Sequence, residues 1–311
     1  MSELSVVLGA RGGIGSAVLA ELIGRGARVR AVGRSITADQ VPAGVEAVAA
    51  DVGTPQGAAA AVRGAEVVYH CAQPDYTRWS EDFPPLNRAV ATATAAEDAK
   101  LVVADNLYMY GPGSAPMSES TPQRATDGKG TLRRDMAAEL LAAHAAGDLR
   151  VTLGRASDYF GPHGVDSALG ETFFGRLVAG RKARWLGSLD QPHALSYLPD
   201  VGRGLVSLGE NAAADGRPWH LPAASATGRE LLGLASAALG REAHASAAPP
   251  WLLRTLGLVN PMMRELAGIA HQWTGPWEID GSAYEKAFGP LPVTPLEQAV
   301  AETVAWWRAH G

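Results

Sequence analysis

The sequence predicts an α/β protein built on a doubly wound parallel sheet, and three observations support that prediction. Short runs rich in β-branched residues alternate with helical patterns through the first half of the 311-residue chain. The strand-like runs are almost continuously apolar, as in parallel sheets covered on both faces. A glycine-rich turn, "GARGGIG" at residues 9–15, stands between the first strand and the first helix. Alternating strands and helices of this kind are typical of a sheet with helices on both sides.

Each strand is predicted from its own stretch of sequence. The candidates are "LSVVL" (4–8), "ARVRAV" (27–32), "VEAVAAD" (45–51), "AEVVYHCA" (65–72), "LVVAD" (101–105) and "LRVTLGR" (149–155). Apolar residues at three- and four-residue spacing predict the helices between them. One follows the glycine turn, one is short, one covers residues 86–99, and one begins near Thr131 with Thr131 as a candidate N-cap.

The second half of the chain has a different organisation. After about Tyr159 the strand–helix pattern loosens, and the segments become richer in proline, glycine and tryptophan. We predict a dinucleotide-binding domain at 1–158, to which residues 194–222 return further strands. Residues 159–193 and 223–311 are predicted to form a smaller, discontinuous substrate lobe.

Composition excludes several functions. The net charge is −5 and no basic stretch resembles a nucleic-acid footprint. No apolar run is long enough to span a bilayer, so no membrane partner is expected. The histidines show no metal-ligand spacing, so no metal is expected. The single cysteine, Cys71, excludes an internal disulfide, and the strand that follows Met1 leaves no room for a signal peptide. These features predict a cytoplasmic protein that acts on a small molecule.

The glycine turn is the strongest local signal. Residues without a Cβ atom allow the backbone to approach a pyrophosphate, and the N-terminus of the following helix offers free N–H groups and a favourable dipole. A glycine turn after a strand and before a helix therefore predicts dinucleotide binding. The predicted contacts are Gly9, Arg11, Gly12, Gly13, Ile14 and Gly15.

The end of the second strand favours NADP(H) over NAD(H). An NAD site has an Asp or Glu here that bonds the ribose 2′-hydroxyl, whereas this chain has Gly33 followed by Arg34 and Ser35. A guanidinium can pair with a 2′-phosphate, and Arg11 would add a second cation. The alternative is that Arg34 is an ordinary surface residue.

With these landmarks in order, the chain resembles the short-chain dehydrogenase/reductase superfamily, in its extended and atypical NAD-dependent epimerase/dehydratase-like branch. "GARGGIG" is similar to the family's GxxGxxG, and "YMYGP", "GRASDYFGP" and "SYLPDVGRGL" resemble its "VYG", "RPSNVYGP" and "VYVDDVA" segments. The resemblance implies a Rossmann-type domain with a C-terminal substrate lobe. It also implies cofactor contacts at Asp51 and Val52 (adenine), Cys71 and Ala72 (the strand end behind the cofactor), and Ser157 and Asp158 (the nicotinamide pocket).

The family's Tyr-x-x-x-Lys pair has no counterpart in this sequence. In the family the lysine holds the nicotinamide ribose and lowers the pKa of the tyrosine, which transfers a proton. Aligned on Glu139, Thr131 stands in the tyrosine place and Asp135 in the lysine place. An aspartate cannot supply a cation, so the standard mechanism is not available.

Three residues are predicted to supply the catalytic groups that the family's Ser/Thr, Tyr and Lys would otherwise supply. By resemblance, Asn106 occupies the position of the catalytic Ser/Thr, where an amide can still hydrogen-bond a substrate carbonyl. Tyr108 falls where related dehydratases carry a glutamate, and is either a proton donor or a pocket wall. Lys129, in a "DGKG" loop two residues before the predicted helix, either restores the missing cation or is a solvated loop lysine. Arg133 and Arg134, in the first helical turn, oppose the helix dipole, and either contact with an anionic ligand or surface exposure would explain their position.

These residues lead to a function hypothesis with alternatives. The first is an NADP(H)-dependent oxidoreductase that reduces a carbonyl, enone, quinone or epoxide on a small apolar or aromatic substrate. The alternatives are an NADP-binding regulatory protein without turnover, and an epimerase, dehydratase or isomerase that uses the cofactor transiently. The helices near 86–99 and 131–146 often pair between subunits in the superfamily, so analogy also predicts a homodimer.

Overall fold

The computed structural model describes residues 3–311 and divides into two compact units. The first takes the chain through Asn106, together with Leu132–Arg155 and Val201–Trp219. The second comprises Leu107–Thr131, Ala156–Asp200 and His220–Gly311. Residues 107–131, which the sequence-based division places in the first domain, thus group with the second unit.

A seven-stranded sheet forms the centre of the first unit. Its strands are β1 (Leu4–Leu8), β2 (Arg28–Gly33), β3 (Glu46–Ala49), β4 (Val67–His70), β5 (Lys100–Asp105), β6 (Arg150–Arg155) and β10 (Pro218–His220), in the order β10-β6-β5-β4-β1-β2-β3. The pairings from β3 across to β6 are all parallel. The chain reverses direction across the sheet beside β1, and ligands bind at such a switch point in open α/β sheets.

The first four helices along the chain were expected from apolar periodicity, and their bounds refine those expectations. They are α1 (Gly13–Gly24), α2 (Pro55–Val62), α3 (Trp79–Ala96), α4 (Gly128–Ala146), α5 (Arg176–Val178), α6 (Leu198–Glu210), α7 (Gly228–Leu239), α8 (Pro250–Leu256), α9 (Pro261–Ile269), α10 (Ser282–Phe288) and α11 (Leu296–His310). A π-helical turn at Gly170–Gly175 leads into α5.

The strands of the first sheet are buried because both faces are apolar. Val6, Val7 and Leu8 of β1 are completely shielded from solvent, as are Val68 in β4 and Leu101 in β5. A parallel sheet needs helices on both faces to bury such strands. The apolar runs in the sequence therefore correctly predicted the doubly wound α/β fold.

The second unit has two small sheets and its own core. Strand β9 (His193–Tyr197) lies between β7 (Asp158–Phe160) and β11 (Ala224–Ala226), and β8 (Ala183–Leu186) pairs with β12 (Ala245–Ala248). Phe173, Phe174 and Trp185 pack in the core with Leu231 of α7 and Trp307 of α11. Most of the aromatic side chains in the second half of the chain thus contribute to this core.

Two expectations about elements were wrong. The segment 194–222 does not simply return strands to the main sheet, because β9 joins the three-stranded sheet of the second unit and only β10 joins the seven-stranded one. The helix expected near Thr131 begins at Gly128, so Thr131 lies inside α4 and does not cap it.

Candidate functional site

The glycine turn between β1 and α1 is a close-packed cradle. Gly9 has φ +76°, and a Cβ atom there would lie 2.8 Å from the backbone of Ala72. A Cβ on Gly15 would lie 2.1 Å from the carbonyl oxygen of Gly9. Gly12 is the N-cap of α1 and supplies no side-chain cap, so no side chain screens the first N–H groups of the helix. A tight, glycine-rich turn without a side-chain cap at a helix N-terminus fits the diphosphate of a dinucleotide.

The predicted adenosine contacts lie at the ends of β2 and β3. Gly33 ends β2, and the next residues, Arg34 and Ser35, are exposed, as is Arg11 in the glycine turn. The backbone N–H of Ala50, just after β3, donates to the carbonyl of Gly33, which ties the two strand ends together.

The turn that follows β3 holds the predicted adenine contacts. Asp51 is exposed and its Oδ1 accepts a hydrogen bond from the Gly53 N–H at 3.1 Å, so this carboxylate shapes its own turn. Val52 is buried.

The end of β4 carries a buried histidine beside the predicted cofactor contacts. Ala72 backs the glycine turn, and burial raises the pKa of the neighbouring Cys71 thiol to about 12, so this cysteine is not a thiolate nucleophile. His70 is 3% exposed, and among the described residues neither of its ring nitrogens has a hydrogen-bond partner. Burial and, secondarily, the charge of Arg133 lower the pKa of His70 to about 3, so the ring is neutral at physiological pH.

A buried cluster of charges follows at the ends of β5 and β6. Asp105 accepts hydrogen bonds from Arg133 Nε at 3.0 Å and from Arg155 Nε at 2.9 Å, and all three residues are at least 95% buried. Burial opposes ionisation of Asp105, but the two guanidinium groups outweigh it and hold the pKa of the carboxyl below its ordinary value. The guanidinium of Arg133 also lies 4.9 Å from the ring centre of Phe83. Arg133 therefore shares one carboxylate with Arg155, which leaves the group of three with a net positive charge, and its contact with an anionic ligand stays a prediction.

The start of α4 places Lys129 differently from the sequence expectation. Asp127 caps the helix, because its Oδ1 accepts from the Gly130 N–H at 2.8 Å. Lys129 is therefore in the first turn, not in a loop ahead of it, and it is 5% exposed. Its Nζ lies 3.3 Å from Glu265 Oε2 on α9. The solvated-loop alternative for Lys129 is wrong.

The buried face of α4 carries two cations. Lys129 and Arg133 are buried, whereas the side chain of Asp135 is 63% exposed and pairs with Arg134. Two buried cations thus stand four positions apart on this helix, and the alignment on Glu139 stays a prediction.

Asn106 and Tyr108 follow directly on β5. Both are half-buried, and Tyr108 begins a 3₁₀ turn that ends at Tyr110. Tyr110 is fully buried and its hydroxyl lies 2.6 Å from His220 Nε2, which is a structural role. Asn106 and Tyr108 remain predictions as catalytic residues.

Ser157 and Asp158 lie at the start of β7. The Ser157 N–H donates to Ser196 Oγ at 2.9 Å, and Asp158 Oδ2 lies 2.7 Å from His193 Nε2. His193 is 2% exposed and stacks on Trp273 with ring centres 4.2 Å apart. No local sequence pattern links His193 to this carboxylate 35 positions away.

Neither a metal site nor a membrane-spanning helix is found among the described residues. Within residues 3–311, no three His, Cys, Asp or Glu side chains are grouped so that they could hold a metal ion. None of the helices in the same range combines the length and the apolar character needed to cross a bilayer.

The seven-stranded parallel order and the glycine cradle define a Rossmann-type dinucleotide-binding protein. The model of the NAD dependent epimerase/dehydratase family matches residues 5–221, and the chain belongs to that family. No curated protein matches the sequence.

Solved structures share the fold along nearly the whole chain. The enzyme WbmH of Bordetella bronchiseptica, in complex with NAD⁺, is 19% identical with a TM-score of 0.76, covering 100% of both chains. The UDP-glucose 4-epimerase of Thermus thermophilus, in complex with NAD, is 18% identical with a TM-score of 0.78, covering 99% of this chain and 100% of the epimerase. The dTDP-glucose 4,6-dehydratase DesIV of Streptomyces venezuelae, a double mutant with NAD and DAU bound, is 18% identical with a TM-score of 0.80, covering 100% of this chain and 98% of the dehydratase.

These comparisons refine the function hypotheses. They support an enzyme of the short-chain dehydrogenase/reductase superfamily that depends on a nicotinamide dinucleotide. Among the hypotheses from sequence, the family match favours the epimerase or dehydratase over net reduction of a carbonyl, enone, quinone or epoxide.

Proposed function

We propose that the protein is a nicotinamide-dinucleotide-dependent enzyme of the epimerase or dehydratase kind, which uses its cofactor transiently. The observation that carries the proposal is the family match over residues 5–221. The cradle formed by Gly9, Gly12 and Gly15 supports it, because a Cβ atom at Gly9 or Gly15 would collide with backbone. This cradle would hold the diphosphate of the cofactor, which would supply reversible hydride transfer without net consumption.

The chain's own residues would bind and orient the substrate and move its proton. The Asn106 amide can hold a substrate oxygen, and the Tyr108 phenol can exchange a proton with it. Lys129 is held in the first turn of α4 beside Glu265, which offsets part of its positive charge. Because the family's tyrosine is missing, we expect Tyr108 to carry the proton.

The phosphorylated dinucleotide is the cofactor that we propose. Arg34 and Arg11 are exposed, and no carboxylate stands at Gly33, where an NAD site would carry one. The half-buried Cys71 is the only cysteine in the sequence, which suits a cytoplasmic location.

The test is turnover without net consumption of the cofactor. Purified protein is incubated with sugars and sugar nucleotides and with either dinucleotide, while absorbance at 340 nm and the substrate's NMR spectrum are followed. We expect a changed substrate spectrum with no steady change in absorbance. Tyr108→Phe should lower kcat by about 10²-fold or more with little change in dinucleotide affinity.

Two results would contradict this proposal. Steady oxidation of NADPH by an added carbonyl compound or quinone would indicate a reductase. Tight dinucleotide binding without any turnover would indicate a regulatory protein, a second candidate that the tyrosine-free face of α4 favours.

A further inference from the structure

The first unit has a cavity at the edge of its seven-stranded sheet where the strands begin. Its volume is about 370 Å³, and it is lined by Ser5 of β1, Val67 of β4 and Lys100 of β5. Leu22 near the end of α1 and Gly209 near the end of α6 also line it. Because these strands are parallel, the glycine cradle that follows β1 lies at the opposite edge of the sheet. The cavity is therefore separate from the cradle, and its volume suits a small molecule.

Acidic groups outnumber basic ones around this cavity. Its lining includes four carboxylates and two cations, namely Glu3, Glu66, Glu210, Asp215, Lys100 and Arg150. Helices α1 and α6 both end beside it, and the C-terminal end of a helix dipole favours positive charge. The lining should therefore attract a cation and repel an anion.

Ion pairs within the chain leave part of this negative charge uncompensated. Arg150 Nη2 lies 3.6 Å from Glu66 Oε1, so these two charges offset each other. Arg25 lies 2.6 Å from Glu210 Oε2 and 2.7 Å from Glu21 Oε1. One guanidinium thus serves two carboxylates, and Glu210 retains the capacity to bind a further cation.

The ammonium group of Lys100 shows which kind of ion this lining accommodates. Lys100 Nζ donates to the carbonyl oxygens of Leu208 at 2.6 Å and Asn211 at 2.7 Å. It also lies 2.6 Å from Asp215 Oδ1. These three contacts engage all three of its protons, so Lys100 has none left for an anionic ligand.

A buried hydroxyl group at the cavity lacks a partner. Tyr69 lines the cavity and is 1% exposed, and within residues 3–311 its hydroxyl has no hydrogen-bond partner. A Cβ atom on Gly209 would lie 2.2 Å from this oxygen, which places the hydroxyl at the wall formed by the last turn of α6. Burial and, secondarily, the charge of Glu210 raise the pKa of the Tyr69 hydroxyl, so it stays neutral. Native proteins pair almost all buried hydroxyls, so a ligand atom is expected here.

The arrangement of the acceptors suits an organic cation better than a metal ion. Among the described residues, no three His, Cys, Asp or Glu side chains are close enough together to hold a metal. The carboxylates of Glu3, Glu66 and Glu210 instead come from separate segments around the cavity. A flexible molecule with several ammonium groups can reach acceptors that are far apart, and each ammonium can donate to a carboxylate or to a phenol oxygen.

We propose that this cavity binds an organic cation with primary ammonium groups, of the diamine or polyamine class, and that Glu210 and Tyr69 accept hydrogen bonds from it. The site is distinct from the dinucleotide cradle. The inference does not depend on the proposed function, and its test needs no turnover.

The first test is calorimetry of the whole protein with putrescine and spermidine, without dinucleotide. An ionic strength of about 0.1 M limits attraction between exposed charges to about 10 Å. Butane-1,4-diol and succinate serve as uncharged and anionic compounds of the same chain length as putrescine. We expect saturable binding of at least one of the two amines and no binding of the diol or of succinate.

The second test locates the site with three variants. Tyr69→Phe removes only the hydroxyl, and we expect it to raise the Kd of the amine about threefold or more. Glu210→Gln removes only the charge and should raise the Kd about fivefold or more. Glu46→Gln is the matched control, since Glu46 on β3 is 46% exposed and pairs with Arg30, as Glu210 is 49% exposed and pairs with Arg25. It should leave the Kd unchanged.

Four results would overturn the proposal. The first is no saturable binding of either amine, which would mean that water alone fills the cavity. The second is equal weakening by Glu46→Gln and Glu210→Gln, which would indicate general attraction to a protein of net charge −5. The third is binding that both Tyr69→Phe and Glu210→Gln leave intact. The fourth is loss of amine binding when NADP⁺ is added, which would place the amine in the dinucleotide site.

Discussion

At the scale of single residues, Arg34 is the position on which the choice of cofactor depends. It follows Gly33 at the end of β2 and is exposed, so nothing but solvent need be displaced for it to pair with a phosphate. A charge-assisted hydrogen bond to a phosphate contributes about 1.5–3 kcal/mol.

We therefore expect Arg34→Ala to raise the Kd for NADP⁺ about 10- to 100-fold and to leave the Kd for NAD⁺ almost unchanged, as measured by calorimetry. Arg28→Ala, at the exposed start of the same strand, is the control and should change neither value. Equal weakening of both dinucleotides by Arg34→Ala would show that the guanidinium does not read the 2′-phosphate.

His70 makes the stability of the protein depend on pH. Its folded-state pKa of about 3 lies below the value of about 6.5 in an unfolded chain, because burial and Arg133 disfavour the charged ring. The unfolded state binds more protons between these values, so stability falls as the pH falls through that window.

Between pH 7 and pH 5, His70 should lower the free energy of unfolding by about 2 kcal/mol. Burial also lowers the pKa values of His163 and His271, so the comparison must isolate His70. Urea unfolding at the two pH values should show a loss that is about 2 kcal/mol smaller in His70→Gln than in the wild type. An identical loss in both proteins would mean that His70 titrates normally in the fold.

At the scale of elements, helix α1 has one glycine near its start, Gly15, and one at its end, Gly24, and the two differ in function. A Cβ atom on Gly15 would lie 2.1 Å from the Gly9 carbonyl oxygen, whereas one on Gly24 would meet no atom within 4 Å. The first glycine is required by close approach of backbone, and the second only weakens the helix.

Gly15→Ala should therefore abolish measurable dinucleotide binding and lower the melting temperature, because the turn must open to admit the methyl group. Gly24→Ala should keep the Kd of the wild type and stabilise the helix by about 0.5–1 kcal/mol. Calorimetry and thermal unfolding of the two variants provide the comparison. Normal binding by Gly15→Ala would show that the cradle is not the diphosphate site.

The helices that sequence reasoning misplaced show where local rules fail. The helix expected from residue 86 starts at Trp79, although Pro84 and Pro85 lie inside it. Its buried stripe includes Trp79 and Phe83, so tertiary packing overrides the low propensity of proline. The glycines at the start of α4 likewise suggested a loop, and the Asp127 cap offsets them.

At the scale of the whole molecule, the path of the chain between the two units was only partly predictable. The substrate lobe was expected to be discontinuous, but the strand at His193–Tyr197 was expected to join the main sheet. It pairs with Asp158–Phe160 and Ala224–Ala226, and an apolar run does not say which of two sheets it joins. The homodimer stays a prediction by analogy.

Local sequence pattern was sufficient for the α/β fold, the glycine turn and the absence of the Tyr-x-x-x-Lys pair, because each depends on residues that are neighbours in the chain. It was not sufficient for the hydrogen bonds of Asp105 with Arg133 and Arg155, or for the pairing of His193 with Asp158. These depend on burial and on contacts between residues tens of positions apart, and a charge or an amide acquires its energetic meaning only from such surroundings. The proposed cofactor therefore comes from the local sequence, whereas the buried charge pairs come only from the tertiary structure.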